Sequence, residues 1–150
     1  MSEENRVTGV ITLIPPLGVD EVADSRFLPD SMETRAFRND VVFQIAEQVL
    51  PDVPGGFRRV VIAIKPFSED RYSFNNLEDH LRAAVAEVSA GRRAGGTLIR
   101  WGRAQGDVER FQVRAKAEPD GHGGVRFTDY TIVRETAELR WPDGTPVGEV

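Results

Sequence analysis

The chain contains no cysteine, which removes disulfides, thiolate nucleophiles and cysteine-ligated metals from its chemistry. Histidine is almost as scarce. His80 and His122 are the only two, far apart and in no ligand spacing, so a histidine-based metal site is not expected, and no cofactor of any other kind is expected. No Gly-x-Ser-x-Gly elbow occurs, which argues against a serine hydrolase. No apolar run approaches the roughly 18 residues needed to cross a bilayer, and Met1 to Arg6 is acidic where a signal peptide is basic. A cytoplasmic protein without membrane association is the expectation. Strong charge of either sign is also missing: 24 acidic residues against 19 basic ones leave a net charge of −5, too little to mark a polyanion binder or an acidic mimic of nucleic acid.

What the chain does have is one strong helical pattern. Within residues 73–91, Leu77, Leu81, Ala84, Val85 and Val88 fall on one stripe at helical spacing. Asn75 is placed to cap the first turn with Glu78 reaching back, Glu78 and Asp79 sit at the positive end, and Gly91 supplies a left-handed stop. A long central helix over about 75–90 is therefore predicted, and a second, short helix can form near 19–25, where Asp20 and Glu21 would occupy its first turn.

Nearly everything else alternates as strands do. Val7 to Ile14 is β-branched, and Pro15-Pro16 should end it, because proline donates no ladder hydrogen bond. Val41, Phe43, Ile45 and Val49 alternate with more polar neighbours, as do Val60, Ile62 and Ile64, and Pro51 to Gly56 between them reads as a hairpin turn. Beyond Gly95-Gly96, a short strand covers 97–101. From Val108 to Ala117, Phe111, Val113, Ala115 and Ala117 point one way and Arg110, Gln112, Arg114 and Lys116 the other, as in a sheet covered on one side. A turn at 119–124 leads into a long return over 125–141, with an interruption expected near Glu135. Residues between Phe27 and Asn39 read as irregular, pinned by Phe27, Leu28, Met32 and Phe37. Together these predict an α+β fold, a single domain over 1–150 with an ordered core of about 6–142, a tail at 143–150, and a mainly antiparallel sheet packed against the helix.

The stretches Gly9-Val10-Ile11-Thr12-Leu13-Ile14-Pro15-Pro16-Leu17 and Trp141-Pro142-Asp143-Gly144, on either side of a single amphipathic helix, give a layout that resembles a group of small actinobacterial, phage and mobile-element proteins sharing a domain of unknown function. The resemblance implies an actinobacterial or phage source, which agrees with an arginine bias that leaves only Lys65 and Lys116 as lysine. It implies no activity, cofactor or catalytic residue.

Candidate sites are weighed against simpler roles. Residues 91–97 are rich in glycine and arginine, yet they end a helix and enter a strand, the reverse of a phosphate loop, and read as helix cap and turn. His80 lies off the apolar stripe and is expected to face solvent. His122 reads as a turn residue. Asp20, Glu21, Asp24 and Asp30 could converge in an acidic site within 18–40, although such clusters are usually solvated surface. The polar face with Arg110, Arg114 and Lys116, joined by Arg100 if the neighbouring strand aligns, forms a basic stripe that could meet a partner. With no catalytic motif, the expected function is a non-enzymatic protein that binds another protein, directed at a host factor if phage-encoded. The alternatives are nucleic-acid binding through the basic stripe, which an aromatic on the same face would favour, and a small enzyme using the acidic segment.

Overall fold

A computed structural model describes residues 5–29, 39–70, 72–90, 92–102, 107–138, 140 and 142–143. Six strands, β1 (Arg6–Gly18), β2 (Val41–Val49), β3 (Phe57–Pro66), β4 (Arg93–Trp101), β5 (Asp107–Pro119) and β6 (Val125–Glu138), form one sheet in the order β2-β3-β1-β4-β5-β6. Every pairing is antiparallel. An α-helix, α1 (Leu77–Val88), and a 3₁₀ helix (Val19–Val22) accompany the sheet.

Alternation in each strand decides which face is dry. Val7, Ile11 and Leu13 of β1 are buried with Phe43 of β2, Ile64 of β3, Leu98 of β4 and Phe111 and Val113 of β5. The same cluster includes Leu77, Leu81, Ala84, Val85 and Val88, so the predicted stripe of α1 is the face that covers this side of the sheet. Phe27 and Leu28 join it as expected. Met32 and Phe37 lie outside the described residues.

Several boundaries differ from expectation. The helix is short, 12 residues beginning at Leu77. Its capping acceptor comes from another element: Asp40 Oδ2 accepts the Asn76 N–H at 2.8 Å, so Asn76 rather than Asn75 closes the end. The second helix is a single 3₁₀ turn that ends at Val22.

Pro15 and Pro16 do not end β1. Pairing of β1 with β4 stops at Ile14 and pairing with β3 skips from Thr12 to Leu17, so the prolines, the first after a cis peptide bond, occupy a stretch where no ladder donor is needed. In β4 the expected turn glycines are strand residues. Gly96 has φ +139°, and a Cβ there would sit 2.3 Å from the Val10 carbonyl oxygen; Gly9, at φ +109°, meets the Thr97 carbonyl oxygen at 2.2 Å in the same way. The two glycines let β1 and β4 approach where a side chain would collide. β6 runs through Glu135 without a break, and its irregularity lies instead at Asp129, φ 52°, where the register with β5 slips between Arg114 and Lys116.

Candidate functional site

With α1 on one face, the other face of the central strands carries side chains to the outside. The register fixes its membership. Arg110 lies opposite Ile99 and Glu135, Arg114 opposite Thr131, and Lys116 opposite Thr128. Arg110, Arg114 and Lys116 are thus brought together as the alternation requires. Arg100 is not with them: β4 aligns one residue out of step with the assumed stripe, pairing Ile99 with Arg110 and Arg100 with Glu109 on the helix-covered side.

There Arg100 is a structural tie. Its Nη2 and Nε donate to Glu109 Oε1 at 2.6 and 3.0 Å, its Nη1 donates to the Phe74 carbonyl at 2.6 Å, and its guanidinium lies 5.3 Å from the Phe111 ring centre. Arg134 of β6 pairs with the other Glu109 oxygen. Two arginines, one on each of the strands that flank β5, therefore clamp one carboxylate that is only 19% exposed.

On the open face the charges are mostly paired within the molecule. Arg110 bonds Glu135, and Lys116 and Arg126 share Glu118 at 3.5 and 3.3 Å. Arg114 donates to Gln112 Oε1 at 3.2 and 2.9 Å. Beside this stripe lies an apolar patch that the strand-by-strand reading did not assign to a face. Trp101 is 39% exposed and its indole N–H donates to Thr8 Oγ1 at 3.1 Å. Ile99 sits opposite Thr8, Val108 opposite Trp101, and Val10, also 39% exposed, continues the same side of β1. The parity of Trp101 relative to Arg100 was visible in the sequence. What it lacked was the β4–β5 register, which decides that the tryptophan shares a face with Arg110.

His80 does not face solvent as expected. Its ring folds back from α1, and Nδ1 accepts the backbone N–H of Asp40 at 2.9 Å, so Nε2 carries the proton of the neutral ring. Burial pushes the His80 pKa below the ordinary value against an opposing pull from the Asp40 carboxylate, and Arg26 lowers it further. Burial also raises the Asp40 pKa, although the Asn76 N–H and the charges of His80 and Arg100 work the other way. Next to it, Asn39 Oδ1 accepts from the Arg26 guanidinium while Asn39 Nδ2 donates to the Arg26 carbonyl at 2.9 Å. The network fastens the start of β2 to the first turn of α1 and to the segment before Phe27. With Nδ1 already occupied by a main-chain donor, it is built to hold elements in place.

The acidic segment is drawn into similar local bonds. Glu21 accepts the Gly18 N–H at 2.9 Å and faces Arg92 at 3.9 Å, while Ser25 donates to Glu87 at 3.1 Å. Asp20 and Asp24 line a shallow recess with them, and Asp30 lies outside the described residues. Among the described residues, no group of three or more histidine and carboxylate side chains is placed to hold a metal ion. His122 is exposed in the turn, where its N–H and that of Gly124 donate to Asp120 Oδ1 at 2.7 and 3.0 Å and hold the Asp120 carboxyl below its ordinary pKa. No described helix is long and apolar enough to cross a membrane. Comparison with protein-family models, with curated proteins and with solved structures gives no match.

Proposed function

We propose that the protein is a non-enzymatic binding protein whose open sheet face, centred on Trp101, docks another protein. The observation that carries this reading is the juxtaposition of Trp101, Ile99, Val108 and Val10 with a stripe whose cations already have intramolecular partners. A half-exposed tryptophan beside β-branched residues is the composition of an interface centre, and a rim of neutralised arginine and carboxylate suits a protein surface more than a phosphate backbone. The net charge of −5 adds long-range repulsion toward a polyanion.

A nucleic-acid reading has one observation in its favour: Trp101 is an aromatic on the same face as Arg110 and Arg114, where a base could stack. The two readings separate in one experiment. Protein is immobilised as wild type, as Trp101→Ala, and as Arg82→Ala on the outer face of α1, and incubated with nuclease-treated lysate of the source cell. A protein retained by wild type and by Arg82→Ala, lost with Trp101→Ala and not displaced by short duplexes or single strands supports the proposal. Salt-sensitive binding of an unrelated nucleic acid, abolished by Arg110→Glu with Arg114→Glu, would select the alternative.

A further inference from the structure

The sheet has an opening between β1 and β3 that neither strand pairing nor core packing fills. At one end it is closed by the pairing of Ile11 with Ile64, and at the other by the bridge of Asn5 to Tyr72, whose two backbone hydrogen bonds are 2.7 and 2.8 Å. Between these points, residues 6–10 of β1 have partners only on β4, and Lys65 and Pro66 of β3 only on β2. The result is a recess of about 420 Å³ in the middle of a sheet, in the size range of small-molecule sites.

Its lining is chemically one-sided. Val7, 2% exposed, and half-buried Phe67 give it an apolar base, and Phe67 is held edge-on to Tyr72 with ring centres 4.6 Å apart. The polar groups around that base are donors. Arg6 and Lys65 line the recess, and among the described residues neither has a carboxylate within ion-pair distance. Thr8 Oγ1 already accepts from the Trp101 indole, and Ser68 Oγ accepts from the Asp70 N–H at 3.0 Å, so each hydroxyl keeps its own hydrogen to donate. Glu69 is the one anion in the lining and leaves the two cations in excess.

We propose that this opening binds a small organic anion, with a carboxylate or phosphate held by Arg6 and Lys65 and the hydroxyls of Thr8 and Ser68, and a flat apolar body seated against Phe67. Charge-assisted bonds from two cations supply the affinity, and a recess of about 420 Å³ has room for a single ring beyond the charged group. The site adjoins the docking face, since Arg6 lies opposite Trp101 and the Thr8 hydroxyl accepts the Trp101 indole N–H, but its apolar base is formed by Val7 and Phe67 rather than by Trp101.

The test is an amide-resolved NMR titration of the full chain with benzoate, phenyl phosphate and, as the neutral counterpart, benzyl alcohol. Saturable shifts centred on Val7, Thr8, Gly9, Phe67 and Ser68, at roughly millimolar concentration as befits such small probes, are expected for one or both anions, and their ranking tells carboxylate from phosphate. Arg6→Gln with Lys65→Gln should weaken this binding about tenfold or more, while Arg82→Gln, exposed on the outer face of α1, leaves it unchanged. Both positions are exposed, so the double variant is expected to fold, and its undisturbed amide spectrum elsewhere verifies this. Absence of localised shifts with both anions, equal shifts with benzyl alcohol, or undiminished binding by the double variant would each overturn the proposal.

Discussion

The main-chain N–H of Asp40 donates to Nδ1 of His80 across 2.9 Å, joining the first residue before β2 to the first turn of α1. This bond exists only while the ring is neutral, because the protonated ring has no acceptor. The His80 pKa is depressed in the folded chain, so the unfolded chain takes up the proton first. The resulting stability is fully present above about pH 6.5 and is lost as pH falls through the folded-state value. Asp40 acts in the opposite direction at lower pH: its raised pKa means that ionisation is penalised in the fold and the penalty is relieved on protonation. Denaturation midpoints from pH 8 to 5 should therefore decline in wild type and decline less in His80→Gln, whose amide oxygen can accept the same N–H at any pH. Parallel curves for the two proteins would refute this assignment.

Leu81 has no exposed surface and sits in the core cluster, whereas Arg82, next in sequence, is 57% exposed and makes only a surface pair with Glu78 at 3.7 Å. Leu81→Ala is expected to cost about 2–5 kcal/mol and Arg82→Ala to stay within about 0.5 kcal/mol. Urea denaturation of both variants checks the orientation of α1.

A methyl group at Gly9 would meet the Thr97 carbonyl oxygen at 2.2 Å and would impose positive φ on an alanine. Gly55 offers the matched control, with φ +72° and no neighbour within 4 Å. Gly55→Ala should cost about 1–2 kcal/mol from backbone strain alone, and Gly9→Ala clearly more, because β1 and β4 must part to admit the methyl. Equal thermal midpoints would show that the close approach is unimportant.

The two arginine–glutamate pairs of β5 should differ in weight. Glu109→Ala strands Arg100 and Arg134 beside the core and should destabilise by about 1–3 kcal/mol, reduced from a fully buried case because both carboxylate and guanidinium retain some solvent. Arg110→Ala removes a half-exposed pair with Glu135 and should change stability by less than about 1 kcal/mol. Chemical denaturation distinguishes them.

What could be read from the sequence was whatever depends on one element, or on two joined by a short turn. The buried stripe of α1, the alternation of β5 and the β2–β3 hairpin follow from periodicity, which is local. The exact register between elements, and any side-chain contact between elements far apart in the chain, was out of reach. The cap on α1 comes from Asp40, more than thirty residues away in the chain, and His80 finds its partner in that same residue. Arg100 joins the basic stripe only if β4 aligns with β5 in one particular register, and alternation gives the parity within a strand but not the register between strands, where one residue of slip exchanges the faces. The opening beside Arg6 and Lys65 was invisible for the same reason: it exists only because β1 and β3 stop pairing at Ile11.

The strand order carries a consequence for how the chain assembles. β2 with β3, and β4 with β5 and β6, are neighbours in sequence and can close through short loops, while β1 lies between the two units and touches both β3 and β4. The segment synthesised before its partners is therefore the seam that unites them. Until the β2–β3 hairpin and the β4–β5–β6 meander both exist, Val7, Ile11 and Leu13 have nowhere to go, and each contact they finally make spans a long loop. Assembly at this seam should govern the overall folding rate, with either half able to form local structure beforehand, and a nascent chain arrested before β4 would display the unmatched edge of β1 to any other extended polypeptide in the cell.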